Sequence, residues 1–152
     1  MNTFPFTSET QYITGRAALN VPNDDGSFAD WHFDEVFLSG RGKIRIAGID
    51  TNPALDLLGS YGIRECGGVL RKFGVQIPAS QKVFSASHVR AILDMLLTSL
   101  SKRQYPSHVT VEDMLDDEHD IAQLKAQIQI IKTKIVDPII FSLLVKWEQT
   151  NL

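Results

Sequence analysis

The chain has 152 residues, a hydrophobic fraction of 43% and a formal net charge of −3. These totals suit one small globular domain with a buried core, and the net negative charge provides no overall attraction to nucleic acid or to an anionic membrane. The single cysteine, Cys66, cannot form an internal disulfide, and the first residues lack the basic and apolar runs of a secretory signal, so a cytoplasmic location is expected.

The N-terminal third gives weak secondary-structure signals. Residues 1–12 are expected to be irregular or to form a short strand, and residues 15–20 a helical turn or a strand. Residues 21–27 are rich in Pro, Asn, Asp and Gly and predict a loop. Residues 28–38 are rich in aromatic and charged side chains, and their periodicity fits a helix or a strand equally well.

The middle of the chain alternates strand and helix signals. Residues 43–49 alternate polar and apolar side chains, which predicts a strand with one buried face. The sequence then predicts a helix entry at 50–53, with Asn52 as its cap, and a short helix at 54–58 that ends at Gly59. A helix in the second half of 61–74 and a strand at 82–84 are predicted after it. Residues 88–102 predict a helix capped by Ser85 or Ser87. Its core-facing residues are Val89, Ile92, Leu93, Leu96 and Leu100.

The C-terminal segment carries the clearest signal. Its apolar residues recur at steps of three and four and therefore lie on one face of a helix: Ile121, Leu124, Ile128, Ile131 and Ile135. An acidic run at 112–120 precedes this helix, where the helix dipole favours carboxylates, and a short helix is expected at 111–116. Pro138 either kinks one long helix or begins a second one. Residues 139–147 are apolar nearly all round, which predicts burial on more than one side.

These elements predict an α+β fold: a small mixed domain with few short strands and several helices, followed by a C-terminal helical arm. The body is expected at 1–106 and the arm at 107–152, with the kink or break near Pro138.

Asp30, His32 and Glu35 form the densest group of reactive side chains. They could serve as acid and base on a phosphorylated or nucleotide substrate, together with Arg41 or Lys43. The alternative is a hydrogen-bonded structural histidine. No second histidine lies at metal-ligand spacing, so neither a metal nor another cofactor is expected.

Basic side chains are concentrated in the middle of the chain. Residues 51–109 hold seven basic and three acidic residues, a net +4, whereas residues 110–152 hold four basic and eight acidic ones, a net −4. Four of the basic residues are candidates for nucleic-acid binding: Arg64, Arg71, Lys72 and Arg90. The alternative is scattered, solvated charge, because no helix-turn-helix or RNP-like motif accompanies them.

The apolar stripe of the arm, together with Trp147, is the candidate surface for a protein partner. It could enter a partner groove or pair with its own copy, giving a homo-oligomer through the C-terminal helices. The alternative is packing against the helix at 88–102 within the same chain.

The sequence also resembles a little-characterised group of small bacterial proteins that occur in toxin–antitoxin or phage-defence gene pairs. The resemblance covers residues 13–100. Five segments carry it: Ala-Ala-Leu-Asn-Val-Pro at 17–22, Asp-Trp-His-Phe at 30–33, Thr-Asn-Pro at 51–53, Tyr-Gly-Ile-Arg-Glu-Cys at 61–66 and His-Val-Arg-Ala-Ile-Leu-Asp at 88–94. It implies a non-enzymatic antitoxin that neutralises a toxin or defence effector, and it assigns no catalytic residue.

Overall fold

The computed structural model describes residues 4–39, 44–48 and 57–152. Within these ranges four short strands form one mixed sheet in the order β2-β1-β4-β3. The strands are β1 (Gln11–Ile13), β2 (Ile46–Gly48), β3 (Ile63–Glu65) and β4 (Phe84–Ala86). β1 pairs antiparallel with β2 and parallel with β4, and β3 pairs antiparallel with β4.

Helices make up most of the remaining described structure. They are α1 (Gly15–Leu19), α2 (Gly67–Lys72), α3 (His88–Ser101), α4 (Val111–Met114), α5 (Glu118–Lys134) and α6 (Pro138–Asn151), with a π-helical turn at Asp34–Leu38. The predicted α+β class is therefore confirmed, as are the helices expected at 88–102, at 111–116 and along the apolar stripe.

α3 is the central element of the fold. Its N-terminus is capped by Ser87, whose hydroxyl accepts a 3.1 Å hydrogen bond from the Arg90 amide. It contacts α1, β4, α5 and α6, so sheet and C-terminal helices share one hydrophobic core. The five residues predicted to face the core are all fully buried: Val89, Ile92, Leu93, Leu96 and Leu100.

The short strands follow the sequence signals less closely. β2 lies inside the predicted 43–49 strand, and β4 begins at the end of the predicted 82–84 strand. Residues 28–38 contain the π-helical turn. Gly74, with a φ of 96°, follows the end of α2 as predicted. Leu57 and Leu58 are helical, whereas the predictions for 40–43 and 49–56, including the Asn52 cap, fall outside the described residues.

Pro138 begins a second helix rather than kinking a single one. α5 ends at Lys134, and Asp137 caps α6 by accepting hydrogen bonds from the amides of Ile139 at 2.8 Å and Ile140 at 3.4 Å. Because proline has no N–H to donate, it fits the first turn, where no intrahelical partner is required.

Residues 107–152 pack against the body. The indole N–H of Trp147 donates to the Val109 carbonyl over 2.8 Å, and Lys134 Nζ donates to the Leu57 carbonyl over the same distance. The expectation that residues 139–147 are buried on more than one side is wrong. Only one face of α6 is covered, by burial of Leu144 and Trp147, which leaves Ile139 exposed. In the described part of the chain, no helix is both long and apolar enough to cross a bilayer.

Candidate functional site

Asn20 organises the segment that carries the predicted acid–base residues. Its buried side-chain amide donates to Asp30 Oδ2 at 3.1 Å and to the Arg16 carbonyl at 2.9 Å. Its carbonyl oxygen accepts a 2.8 Å hydrogen bond from the backbone N–H of His32. One amide side chain therefore ties the end of α1 to the 30–32 turn and holds that turn in place.

Asp30, His32 and Glu35 come together as the sequence suggested. His32 Nδ1 lies 3.4 Å from Glu35 Oε2, and its Nε2 lies 4.0 Å from Asp30 Oδ1. The imidazole also stacks on Trp31, with ring centroids 3.9 Å apart. Two carboxylates therefore flank the imidazole.

None of the three side chains lines any of four recesses found in the described ranges. The Glu35 side chain is exposed. Arg41 and Lys43, the proposed substrate-binding pair, lie outside the described residues. A catalytic role for Asp30, His32 and Glu35 remains a prediction.

A second polar cluster, which the sequence did not reveal, is buried between β1 and α3. Arg90 Nε donates to Asp94 Oδ1 at 2.9 Å, while the hydroxyls of Tyr12 and Thr14 each donate to Asp94 Oδ2 at 2.7 Å. The other guanidinium nitrogens reach the Gly59 and Tyr61 carbonyls and the Tyr12 oxygen. Burial and the Asp94 carboxylate raise the pKa of Tyr12, so it remains a neutral donor. The missed signal was an Arg and an Asp four residues apart on a core-facing helix.

The predicted nucleic-acid site is wrong for Arg90 and stays a prediction for Arg64, Arg71 and Lys72. Arg90 is fully buried in the cluster with Asp94. Arg64 Nη2 donates to the Val21 and Pro22 carbonyls, and Arg71 donates to the carbonyls of residues 77, 78 and 81. These guanidinium groups fix loops to the body, which leaves Lys72 as the exposed member of the set.

The predicted partner surface is also wrong for most of its residues. Four of the six side chains are fully buried within the chain and cannot contact a partner in this structure: Leu124, Ile128, Ile131 and Trp147. Ile121 and Ile135 are half-buried and pack against the same core. The amphipathic stripe is satisfied intramolecularly, chiefly by α3.

Segments that carry the family resemblance lie together in space. The Val21 carbonyl accepts hydrogen bonds from Arg64 Nη2 at 3.2 Å and from His88 Nε2 at 2.8 Å. Arg90 binds the Tyr61 carbonyl, and Asn20 binds Asp30. Segments 17–22, 30–33, 61–66 and 88–94 are therefore joined by hydrogen bonds.

Among the described residues, no group of three or more His, Cys, Asp or Glu side chains is arranged to hold a metal ion. Comparison of the chain with protein-family models, with curated proteins and with solved structures found no match.

Proposed function

We propose that this chain is a non-enzymatic, antitoxin-like interaction protein that binds and neutralises a toxin or defence effector through its C-terminal helices. A cytoplasmic location is part of the proposal. The observation that carries it is an exposed apolar surface on those helices, formed by residues other than the buried stripe.

Four large apolar side chains of α5, α6 and their connection remain open to solvent. Their exposed fractions are 44% for Ile130, 94% for Val136, 50% for Ile139 and 38% for Phe141. Single exposed apolar residues are common, but four within twelve positions of α5, α6 and their connection support a role in binding. We call these four residues the α5–α6 surface.

A recess of about 170 Å³ adjoins this surface. Most of its lining is aliphatic: Leu57, Leu97, Leu100, Ile135, Val136 and Ile140. Asp137, which also lines the recess, forms an ion pair with Arg103 at 2.8 Å. A recess of this composition suits one apolar side chain of a partner, the arrangement expected of an interface anchor.

The test compares two substitutions on the same helix. Ile139→Glu places a charge on the α5–α6 surface, and Gln149→Glu places the same charge at an exposed position of α6 ten residues away. Tagged full-length chain is co-expressed with the product of the neighbouring gene, and the purified pair is measured by calorimetry and light scattering.

Wild type and Gln149→Glu are expected to bind the neighbouring gene product and to relieve its toxicity. The proposal is supported if Ile139→Glu loses both properties. Equal binding by all three variants contradicts a role for the α5–α6 surface. A wild-type chain that forms a dimer by itself, lost in Ile139→Glu, would assign the surface to a second copy instead.

A further inference from the structure

The two acidic stretches of the sequence meet at one recess. Residues 17–39 contain five acidic side chains and no Lys or Arg, and residues 112–120 contain six acidic side chains. A recess of about 140 Å³ lies between them. Asp25 and residues 27–29 line one side, His88 lines the recess from α3, and Asp116, Asp117 and Asp120 line the other side.

The polar atoms of this recess accept hydrogen bonds and offer few donors. The Ser27 hydroxyl is already directed to Asp25 Oδ1, at 2.6 Å. The His88 ring is fully buried, and its Nε2 donates to the Val21 carbonyl, which leaves Nδ1 as an acceptor with no hydrogen-bond partner in the described part of the chain. Burial also lowers the pKa of His88, which keeps the ring neutral.

The positive groups near the recess do not offset its carboxylates. Burial and the nearby Asp117 raise the pKa of Asp120 by more than His88, His119 and Arg64 lower it. Arg64 acts on Asp120 through its charge, but its Nη2 is directed to the Val21 and Pro22 carbonyls. A ligand that brings only donors and a positive charge, such as a guanidinium or an ammonium, complements this lining.

Trp31 follows Ala29, a residue of the recess lining, by two positions. Its side chain is 82% exposed, although tryptophan is the largest amino-acid side chain. Asn20 and Asp30 hold the turn beneath it, the Trp31 amide donates to Asp30 Oδ1 at 2.8 Å, and its ring stacks on His32. An exposed tryptophan on a fixed base loses little conformational entropy on binding, which is typical of interface anchors.

We propose that Trp31 and the acidic recess together bind a basic, amphipathic segment of a protein partner. One Arg or Lys of that segment enters the recess, and an apolar side chain beside it packs on the Trp31 indole. This inference rests on the proposed role as an interaction protein, although it concerns a surface separate from the α5–α6 surface.

The charge of the face selects this occupant over others. Nucleic acid and anionic lipid carry the same sign as the recess and are repelled by it. In a second copy, many basic side chains of the described residues are already engaged. Arg64, Arg71 and Arg90 are bound to carbonyls or to Asp94, and three further basic residues are bound to Asp137, Glu148 and the Leu57 carbonyl: Arg103, Lys132 and Lys134.

The test uses full-length chain and a synthetic peptide of arginine and leucine, with peptides of arginine and serine and of glutamate and leucine for comparison. Trp31→Ala and Asp120→Asn are the test variants. Phe6→Ala removes an aromatic side chain that is 83% exposed elsewhere, and Glu112→Gln removes an exposed carboxylate outside the recess. Affinities are measured by calorimetry, with thermal unfolding as a check that each variant folds.

The arginine–leucine peptide is expected to bind wild type, Phe6→Ala and Glu112→Gln alike, and to bind Trp31→Ala and Asp120→Asn roughly tenfold more weakly. The indole N–H signal of Trp31 is expected to shift on titration. Equal affinities for all variants, or equal binding of the glutamate–leucine peptide, overturns the proposal, as does Trp31-dependent binding to anionic vesicles or duplex DNA. Ile139→Glu is expected to leave peptide binding unchanged. A failure of the proposal for the α5–α6 surface is therefore distinguishable from a failure of the proposal for Trp31 and the acidic recess.

Discussion

The phenol of Tyr12 donates a 2.7 Å hydrogen bond to Asp94 Oδ2, and this bond joins β1 to α3 in the centre of the molecule. Both side chains are buried. Asp94 accepts further hydrogen bonds from Thr14 and Arg90, so the charge of each member of the ion pair is compensated inside the protein. The position of α3 on the sheet therefore depends on polar contacts as well as on aliphatic packing.

Asp94→Ala is expected to destabilise the protein strongly. Removing the carboxylate leaves the Arg90 guanidinium buried without a counter-charge, which costs about 3–5 kcal/mol. The free energy of unfolding in urea, followed by circular dichroism, measures this loss. Glu112→Ala, at an exposed position, is the control and should change stability by less than about 0.5 kcal/mol. A loss below about 1 kcal/mol for Asp94→Ala would show that the cluster does not hold α3 in place.

Tyr12→Phe is expected to cost about 1–2 kcal/mol at neutral pH, since it removes a hydrogen bond to a charged acceptor. The pKa of Tyr12 is raised by burial and by Asp94, whereas a tyrosine in the unfolded chain ionises near pH 10. The contribution of Tyr12 is therefore complete below about pH 10 and declines as the pH rises above that value. Urea unfolding between neutral pH and pH 11 should show a steeper loss for wild type than for Tyr12→Phe. Parallel curves would contradict this account.

The helices were predictable because their signals are local. The apolar periodicity of α3 and α5 and the cap at Ser87 lie within the helices or beside them, and the structure places α3 within one residue of the prediction. The break at Pro138 remained open in the sequence, because proline fits both a kink and a first turn.

The sequence did not predict which part of the molecule, or which partner, each helix face contacts. An amphipathic stripe indicates that one face is covered, but α3 and an external partner would give the same pattern. The sequence analysis treated Arg90 as a surface charge, because its contacts with Tyr12 and Asp94 are formed only when the chain folds. Trp31 is large and apolar, as core residues are, so its residue type did not predict that it is exposed. The residue before it, Asp30, is held by a hydrogen bond from Asn20, which is distant in sequence.

Gly62→Ala is expected to be far more damaging than Gly59→Ala. Both glycines have positive φ, 73° and 58°, so either substitution costs about 1–2 kcal/mol of backbone strain. A Cβ at Gly62 would also lie 2.7 Å from Arg90 Cβ and 2.8 Å from Ser87 Oγ, whereas a Cβ at Gly59 meets nothing within 4 Å.

The difference between the two variants therefore isolates the steric contact with α3, which should add about 1–3 kcal/mol. Thermal and urea unfolding of both variants measures it. Equal losses of stability in the two variants would mean that Gly62 and Arg90 are farther apart than the structure indicates.

The two tryptophans offer a direct check on the packing of the C-terminal helices. Trp31 is exposed, whereas Trp147 is fully buried and hydrogen-bonded to the Val109 carbonyl. Iodide should therefore quench part of the wild-type emission, and Trp31→Phe should leave a blue-shifted emission that iodide barely affects. Unfolding in urea should make that remaining emission quenchable, which serves as the positive control. If the emission of native Trp31→Phe is quenched as readily as that of the unfolded chain, α6 is not packed on the body. The buried stripe of α5 would then be available to a partner after all.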